Sequence, residues 1–170
     1  METDLTVEAL THAEATVSGD RMGLAFYNSD KEIFTPSSVN GLDKLRSFHD
    51  GHLGDTWEDV IYLRNDDPTK YFTNMVLYYL IDGYQDMGEF GDTGWGVKLM
   101  YGERQPTEAE WDLVKAGDPL SLPDIGNSDA ADTSTYHPIW VRITCPGGQL
   151  AQIRQNQKLR LLRYPRVVGA

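Results

Sequence analysis

The residues of this chain whose types and spacing could most readily support chemistry are the imidazoles and carboxylates of the segment HDGHLGD. His49 and His52 stand beside Asp50 and Asp55, and imidazole together with carboxylate can hold a divalent metal ion. Their spacing matches no helix-borne zinc signature, and the glycines of the segment indicate a loop. We therefore interpret HDGHLGD as a solvated loop and expect no metal site.

Cys145 is the single cysteine of the chain, so no internal disulfide can form. A catalytic thiol needs a base and an orienting group beside it. Cys145 lies in an apolar stretch just before Pro146 and Gly147, and no catalytic motif surrounds it. This context indicates a buried structural thiol.

A second candidate cation site is the acidic, glycine-rich stretch DGYQDMGEFGDTGWG. Several convergent oxygens are what a hard cation such as calcium requires, and this stretch offers the carboxylates of Asp82, Asp86, Glu89 and Asp92. The alternating aspartates of a calcium-binding loop are absent from it. We interpret the stretch as a solvated hairpin tip, with a calcium site as the alternative.

Aromatic side chains in the same stretch offer a further interpretation. Tyr84, Phe90 and Trp95 could stack on sugar rings in a binding module. The interpretation that we favour is that Trp95 begins a core strand and Phe90 anchors its loop, because aromatic side chains dominate the energetics of protein cores.

Enzyme motifs are missing from the chain. There is no G-x-S-x-G or H-E-x-x-H signature, and no Ser-His-Asp set beyond what chance supplies. A carboxylate pair could hydrolyse a glycoside, but a chain with 26 acidic residues always offers some pair. We expect a non-enzymatic protein with no catalytic residues and no cofactor.

Charge is divided unevenly along the chain. No acidic residue follows Asp132, whereas residues 1–132 hold nine basic and 26 acidic residues, a formal charge of −17 within a total of −11. An acidic body with a basic end favours head-to-tail or partner-directed electrostatic contact. The basic side chains that we expect to form this interface are Arg154, Lys158, Arg160, Arg163 and Arg166.

Length and composition limit the class of protein. A chain of 170 residues with 40% hydrophobic residues can bury a core as a single domain. The net charge of −11 disfavours general binding to DNA or RNA, which depends on neutralising phosphates. The first residues lack a basic segment before an apolar run, and no stretch approaches the roughly 20 apolar residues of a membrane helix. We expect a protein made in a cytoplasm, with no secretory signal and no membrane contact.

Short strands separated by turn residues must position these side chains. Runs of β-branched and aromatic residues predict strands at Arg21–Tyr27, Glu32–Phe34, Trp57–Arg64, Tyr71–Ile81, Gly94–Tyr101, Tyr136–Cys145 and Lys158–Arg163. In the last of these, charged residues alternate with leucines. This alternation predicts one buried face and one exposed basic face.

The segments between the strands are predicted to be loops, with one short helix. The sequence TEAE from Thr107 is a capping-box pattern, and Gly117 is a stop signal. Pro36–Asp55 is polar and glycine-rich, which predicts a long loop or a short helix at Leu42–Phe48. Leu120–Thr135 is predicted to be a long polar connection.

The order of segments within residues 57–163 is informative. It comprises the strands WEDVIYLRND, KYFTNMVLYYL and GWGVKLMY, the connection LPDIG, the strand TYHPIWVRITCPGG and the closing strand QKLRLLRY. The spacing W-x-R-x-x-x-P-x-G is also present, formed by Trp140, Arg142, Pro146 and Gly148. In these features the chain resembles the immunoglobulin-like β-sandwich modules of bacteriophage virion structural proteins. The resemblance implies a fold and carries over no catalytic residue.

We therefore predict an all-β protein, an immunoglobulin-like β-sandwich with long loops and one short helix. Residues 57–170 would form the sandwich core, and residues 1–56 an N-terminal hairpin and loop segment packed on it or extending from it. The resemblance implies a structural component of a tailed-phage virion, in the head, neck, tail or baseplate, whose partners are other virion proteins and copies of itself. The alternative is a carbohydrate-binding adhesion module, with a glycan as its partner.

Overall fold

The structure is a computed structural model that describes residues 10–16, 23–34, 44–81, 95–148 and 152–169. These residues form nine strands and one short helix. In chain order the elements are β1 Leu10–Thr16, β2 Leu24–Tyr27, β3 Lys44–Asp50, β4 Asp55–Asn65, β5 Lys70–Ile81, β6 Gly96–Tyr101, α1 Glu108–Trp111, β7 Leu120–Leu122, β8 His137–Cys145 and β9 Gln152–Val167.

The strands form two sheets, so the fold is an all-β sandwich, as the sequence predicts. One sheet has five strands in the order β3-β1-β9-β5-β7, and the other has four in the order β2-β4-β8-β6. Neighbouring strands are antiparallel except for β1 and β9, which are parallel. The inner faces of both sheets supply one hydrophobic core.

Strand β8 illustrates how alternation builds that core. Ile139, Val141 and Ile143 are at most 1% exposed, whereas Trp140 and Arg142 between them are only partly buried. Because successive side chains of a strand point to opposite faces, the first set packs inward and the second lies on the outer face of the four-stranded sheet. The inner face of this sheet therefore contributes to the core, and its outer face carries side chains that are only partly buried.

Strand β5 contains an irregularity that keeps its inner face apolar. The pairing of β5 with β9 shifts between Thr73 and Val76, and Asn74 there has a φ of 51°. An extra residue of this kind changes the alternation locally. As a result Phe72 and Met75, three positions apart, are both at most 1% exposed.

The segment before residue 57 belongs to both sheets. Strands β1 and β3 form one side of the five-stranded sheet, and β2 is the outer strand of the four-stranded sheet beside β4. Leu24 and Phe26 of β2 are part of the core cluster. The sandwich therefore does not begin at residue 57, because strands from the N-terminal segment complete each layer.

Most predicted elements are confirmed, but the predicted strand Glu32–Phe34 is present only as an isolated bridge between Ile33 and Tyr27. The hairpin turn at Asn28 closes through the bonds from Lys31 N to Asn28 O and from Asn28 N to Glu32 O, both 2.8 Å. The helix has the predicted capping box, in which the Thr107 hydroxyl accepts from the backbone of Glu110 and the Glu110 side chain accepts from the backbone of Thr107.

Two loop predictions are wrong. The segment Pro36–Asp55 was expected to be a loop or a helix at Leu42–Phe48, but it contains strand β3. The polar connection Leu120–Thr135 contains the short strand β7. In β3 the inward positions after Leu45 are polar, so the apolar alternation that signals a strand is absent from the sequence.

Candidate functional site

Strand β3 and the start of β4 hold a chain of hydrogen bonds that joins a serine, a histidine and an aspartate. His49 Nε2 lies 2.7 Å from Ser47 Oγ, and His49 Nδ1 lies 2.6 Å from Asp55 Oδ1. Ser47 and His49 share the inner face of β3, and Asp55 opens β4 in the other sheet. This is the bonding order of a serine, base and acid triad, which no sequence motif predicted.

Burial decides what this triad can do. Ser47 is 0% exposed and His49 is 2% exposed, and the His49 ring meets Trp95 edge to face at 5.3 Å between centroids. A nucleophilic hydroxyl must reach its substrate, and the Ser47 hydroxyl lies within the core. The triad therefore acts here as a polar link between the two sheets.

The other members of HDGHLGD form a tight turn. The Asp50 carboxylate accepts hydrogen bonds from the backbone of His52 and Leu53 at 3.0 and 3.1 Å, and the His52 side chain is exposed. Within the described residues, no group of three or more His, Cys, Asp or Glu side chains is placed to hold a metal ion. Asp50 thus stabilises the turn from β3 to β4.

Cys145 lies where this turn meets the end of β8. It is 2% exposed and its thiol donates to the carbonyl of Pro146 at 3.4 Å. The neighbouring backbone is close: Gly148 N donates to His52 O at 2.9 Å, and a Cβ on Gly54 would lie 2.6 Å from Gly147 N. The burial of Cys145 agrees with the prediction that its thiol is structural.

The predictions for the acidic loop fall largely outside the described residues. Asp82, Asp86, Glu89 and Asp92, proposed as calcium ligands, lie there, as do the aromatics Tyr84 and Phe90. Trp95 is described and is 2% exposed. Its assignment to the core is therefore confirmed.

A cluster of tyrosines and cations on the outer face of the four-stranded sheet was not predicted. Tyr136 meets the rings of Tyr27 and Tyr62 edge to face, at 5.2 and 6.0 Å between centroids. Lys31 Nζ lies 5.1 Å from the centroid of Tyr136, and Arg64 Cζ lies 4.9 Å from it. Cations over tyrosine rings at such distances are attracted by the π electrons.

Hydrogen bonds fasten this cluster to the connection that precedes β8. Arg64 Nε donates to Thr133 O at 2.9 Å, and Arg64 Nη1 donates to the Tyr136 hydroxyl at 3.0 Å. The Tyr27 hydroxyl donates to Asp66 Oδ2 at 2.7 Å. Burial and this bond raise the pKa of Tyr27 to about 12. Because Arg64 both stacks on Tyr136 and donates to Thr133 O, the cluster holds this connection against the sheet.

The basic residues of β9 divide between the two faces of the five-stranded sheet. Arg160 and Arg166 are exposed on the outer face, where they pair in register with Tyr78 and Tyr71 of β5. Between them Leu162 is 40% exposed and Tyr164 is 56% exposed. We call this surface the arginine face, formed by Arg160, Leu162, Tyr164, Arg166, Tyr71 and Tyr78.

Arg163 does not belong to the arginine face. It alternates with Leu162 and Tyr164, so it lies on the side of Leu159 and Leu161, and its Nε atom is buried. Arg163 therefore lies on the opposite face of β9 from Arg160, because a strand sends neighbouring residues of opposite parity to opposite faces. Its role as an interface residue stays a prediction.

The two remaining basic residues of the predicted interface are only partly described. Arg154 and Lys158 lie on β9, opposite Ala13 and Thr16 of β1, but their side chains lie outside the described part of the chain. The predicted buried face of KLRLLR is confirmed for Leu159, which is 7% exposed. Leu161 packs against the core and is partly buried.

The segment around α1 covers the outer face of the four-stranded sheet. Trp111 is 0% exposed, and the Arg142 guanidinium lies 5.7 Å from its ring centroid. Arg142 Nη2 donates to both carboxylate oxygens of Glu108, at 2.7 and 2.9 Å. Nearby, the Arg104 guanidinium and the Thr107 backbone lower the pKa of the Glu110 carboxyl to about 2.

No protein-family model, curated protein or solved structure matches this chain. The only helix among the described residues spans four residues, far too few to cross a membrane. The function proposed below therefore depends on the surfaces of this molecule and on the resemblance noted in its sequence.

Two features of these surfaces could have been read from the sequence, and two could not. The alternation in KLRLLR marks the arginine face, and the capping box marks α1. The Ser47–Asp55 triad and the tyrosine cluster bring together residues from different strands. Nothing in local spacing signals such contacts.

Proposed function

We propose that this chain is a non-enzymatic assembly protein that docks through the arginine face onto an acidic protein surface. Following the sequence resemblance, we place it in a tailed-phage virion, in the head, neck, tail or baseplate, with other virion proteins and copies of itself as partners. The observation that carries the proposal is the composition and exposure of the arginine face.

The chemistry of this face suits a protein partner. Tyrosine and arginine are enriched among the residues that contribute most to protein–protein binding. Leu162 and Tyr164 offer exposed apolar surface at its centre, with Arg160 and Arg166 at either end. No acidic residue occurs in β5, β7 or β9, so the face attracts negative charge along its whole length.

The rigidity of the face supports the same function. Strand β9 lies between β1 and β5 in the sheet, and Arg166 Nε donates to Thr73 Oγ1 of β5 at 3.3 Å. Side chains that are already ordered lose less entropy when a partner binds. A preformed sheet face is therefore a better docking surface than a flexible basic tail.

The experiment measures incorporation of the full chain into particles. Particles from phage-producing bacteria that express the chain are purified by density gradient, and their content of the chain is quantified by mass spectrometry. Arg160→Glu combined with Arg166→Glu is expected to remove the chain from particles. The control is Leu53→Glu, which adds a negative charge at a side chain that is 76% exposed in the β3–β4 turn and should leave incorporation unchanged.

The folded state of the double variant is checked by circular dichroism and thermal unfolding, since both positions are exposed. Particles that lack the wild-type chain, or that retain the folded double variant at the wild-type level, would overturn the proposal.

A further inference from the structure

The surface of the molecule that lies opposite the arginine face also has an apolar centre. Leu113, just after α1, is 88% exposed. We call residues 103–118 the Leu113 shelf. The shelf holds five acidic residues and two basic ones; the acidic residues are Glu103, Glu108, Glu110, Asp112 and Asp118.

The Leu113 shelf is held firmly on the four-stranded sheet. Lys98 Nζ of β6 donates to Trp111 O at 3.0 Å, and Gly117 N donates to Val97 O at 3.0 Å. Glu108 is fixed by Arg142 of β8. The shelf therefore presents Leu113 from a rigid base, so the leucine can be buried in an interface at a small cost in entropy.

The shelf and the arginine face point in opposite directions. The two sheets share one core between them, and each surface lies on the outer side of a different sheet. One surface is formally negative and the other carries only positive charge. A contact between them cannot form within one molecule, but it can form between two copies.

We infer that copies of this chain associate head to tail, with Leu113 of one copy seated on Leu162 and Tyr164 of the next. The acidic residues of the shelf would then face Arg160 and Arg166. An apolar centre with a charged rim is the usual anatomy of a protein interface, and opposite charges on the rims select the orientation. This inference rests on the docking surface proposed above and names its partner as a second copy.

Such an interface joins two different surfaces, so each dimer still has one free surface of each kind. Repetition gives a ring when the rotation closes and a filament when it does not. An isologous dimer, in which each copy uses the same surface, would instead oppose arginines to arginines. The charge of the arginine face disfavours that arrangement.

The test is sedimentation velocity of the full chain over a series of concentrations. The wild type is expected to associate, and more weakly at about 0.5 M salt, because salt screens the charged rims. Leu113→Lys and the Arg160→Glu/Arg166→Glu double variant should each weaken association by about tenfold or more. The matched control is Leu53→Lys, a leucine that is 76% exposed in the β3–β4 turn, which should associate as the wild type does.

Mixing distinguishes a head-to-tail contact from other arrangements. Each defective variant keeps one intact surface, so an equimolar mixture of Leu113→Lys with the arginine double variant should form a dimer that grows no further. A mixture that stays monomeric overturns the inference, as does a wild type that stays monomeric. If the wild type is monomeric but the double variant is lost from particles, the arginine face docks on a different protein, and only the proposed function survives.

Discussion

The imidazole Nδ1 of His49 lies 2.6 Å from the carboxylate Oδ1 of Asp55, and this bond connects the two sheets of the sandwich. His49 is the last inward-facing residue of β3 in the five-stranded sheet, whereas Asp55 is the first residue of β4 in the four-stranded sheet. With Ser47 on its other nitrogen, His49 has partners for both ring nitrogens although it is buried. Buried polar groups are tolerated when they are bonded in this way.

Removing the Ser47 hydroxyl should destabilise the fold. Ser47→Ala leaves a buried ring nitrogen of His49 without its hydroxyl partner, which costs about 1–3 kcal/mol. Urea unfolding measures the change, with Ser121→Ala, an exposed serine on β7, as the control. A free energy of unfolding that is the same for both variants would mean that the triad contributes nothing to stability.

Gly54 and Gly148 have similar φ angles, +79° and +74°, but different surroundings. A Cβ on Gly54 would lie 2.6 Å from Gly147 N, whereas nothing lies within 4 Å of a Cβ on Gly148. Gly148→Ala should cost about 1 kcal/mol for the backbone conformation alone. Gly54→Ala should cost a further ~1–3 kcal/mol for the overlap, and equal losses in thermal unfolding would contradict the close packing of the two turns.

Trp111 should hold the Leu113 shelf in place mainly through its volume. Trp111→Ala removes a fully buried side chain, and we expect a loss of about 3–5 kcal/mol. Trp111→Phe should cost less, because phenylalanine keeps most of the buried volume, and the indole Nε1 has no hydrogen bond to lose in the part of the chain described. Denaturant unfolding compares the two, and a loss for phenylalanine as large as that for alanine would contradict the role of volume.

Tyr27 should make the fold sensitive to alkali. Its pKa is about 12 in the folded protein, against an ordinary value of 10.0, so the folded state keeps the proton that the unfolded state loses. The stabilisation is complete below about pH 10 and declines as the pH rises toward 12. Tyr27→Phe should therefore lose less stability than the wild type between about pH 10 and about pH 12 in urea titrations. Parallel declines would exclude this role for Tyr27.

Several predictions that depended on local pattern succeeded. The capping box that begins at Thr107 is formed by residues three apart, so it can be recognised without any knowledge of the fold. The strands β4 and β8 are rich in β-branched and aromatic side chains, and both were predicted. In these strands the intrinsic β-propensity of the residues and their packing in the folded protein favour the same structure.

The failure at β3 has a specific cause. Ser47 and His49 face the core, so the strand lacks the apolar alternation by which a half-buried strand is recognised. Their burial is tolerated only because Asp55, from another strand and another sheet, completes the hydrogen bonds. No window of sequence contains that information in readable form.

The sequence by itself determined that the chain is rich in strands, that one short helix follows Thr107, and that its basic end alternates with leucines. Only the tertiary structure decided that β9 lies between β1 and β5, and that the Leu113 shelf lies on the outer surface opposite the arginine face. The physical reason is that secondary-structure propensity and the alternation of side chains along a strand depend on residues that are close together in the chain. The pairing order of strands and the packing of two sheets depend on contacts between distant residues, which place each surface in space.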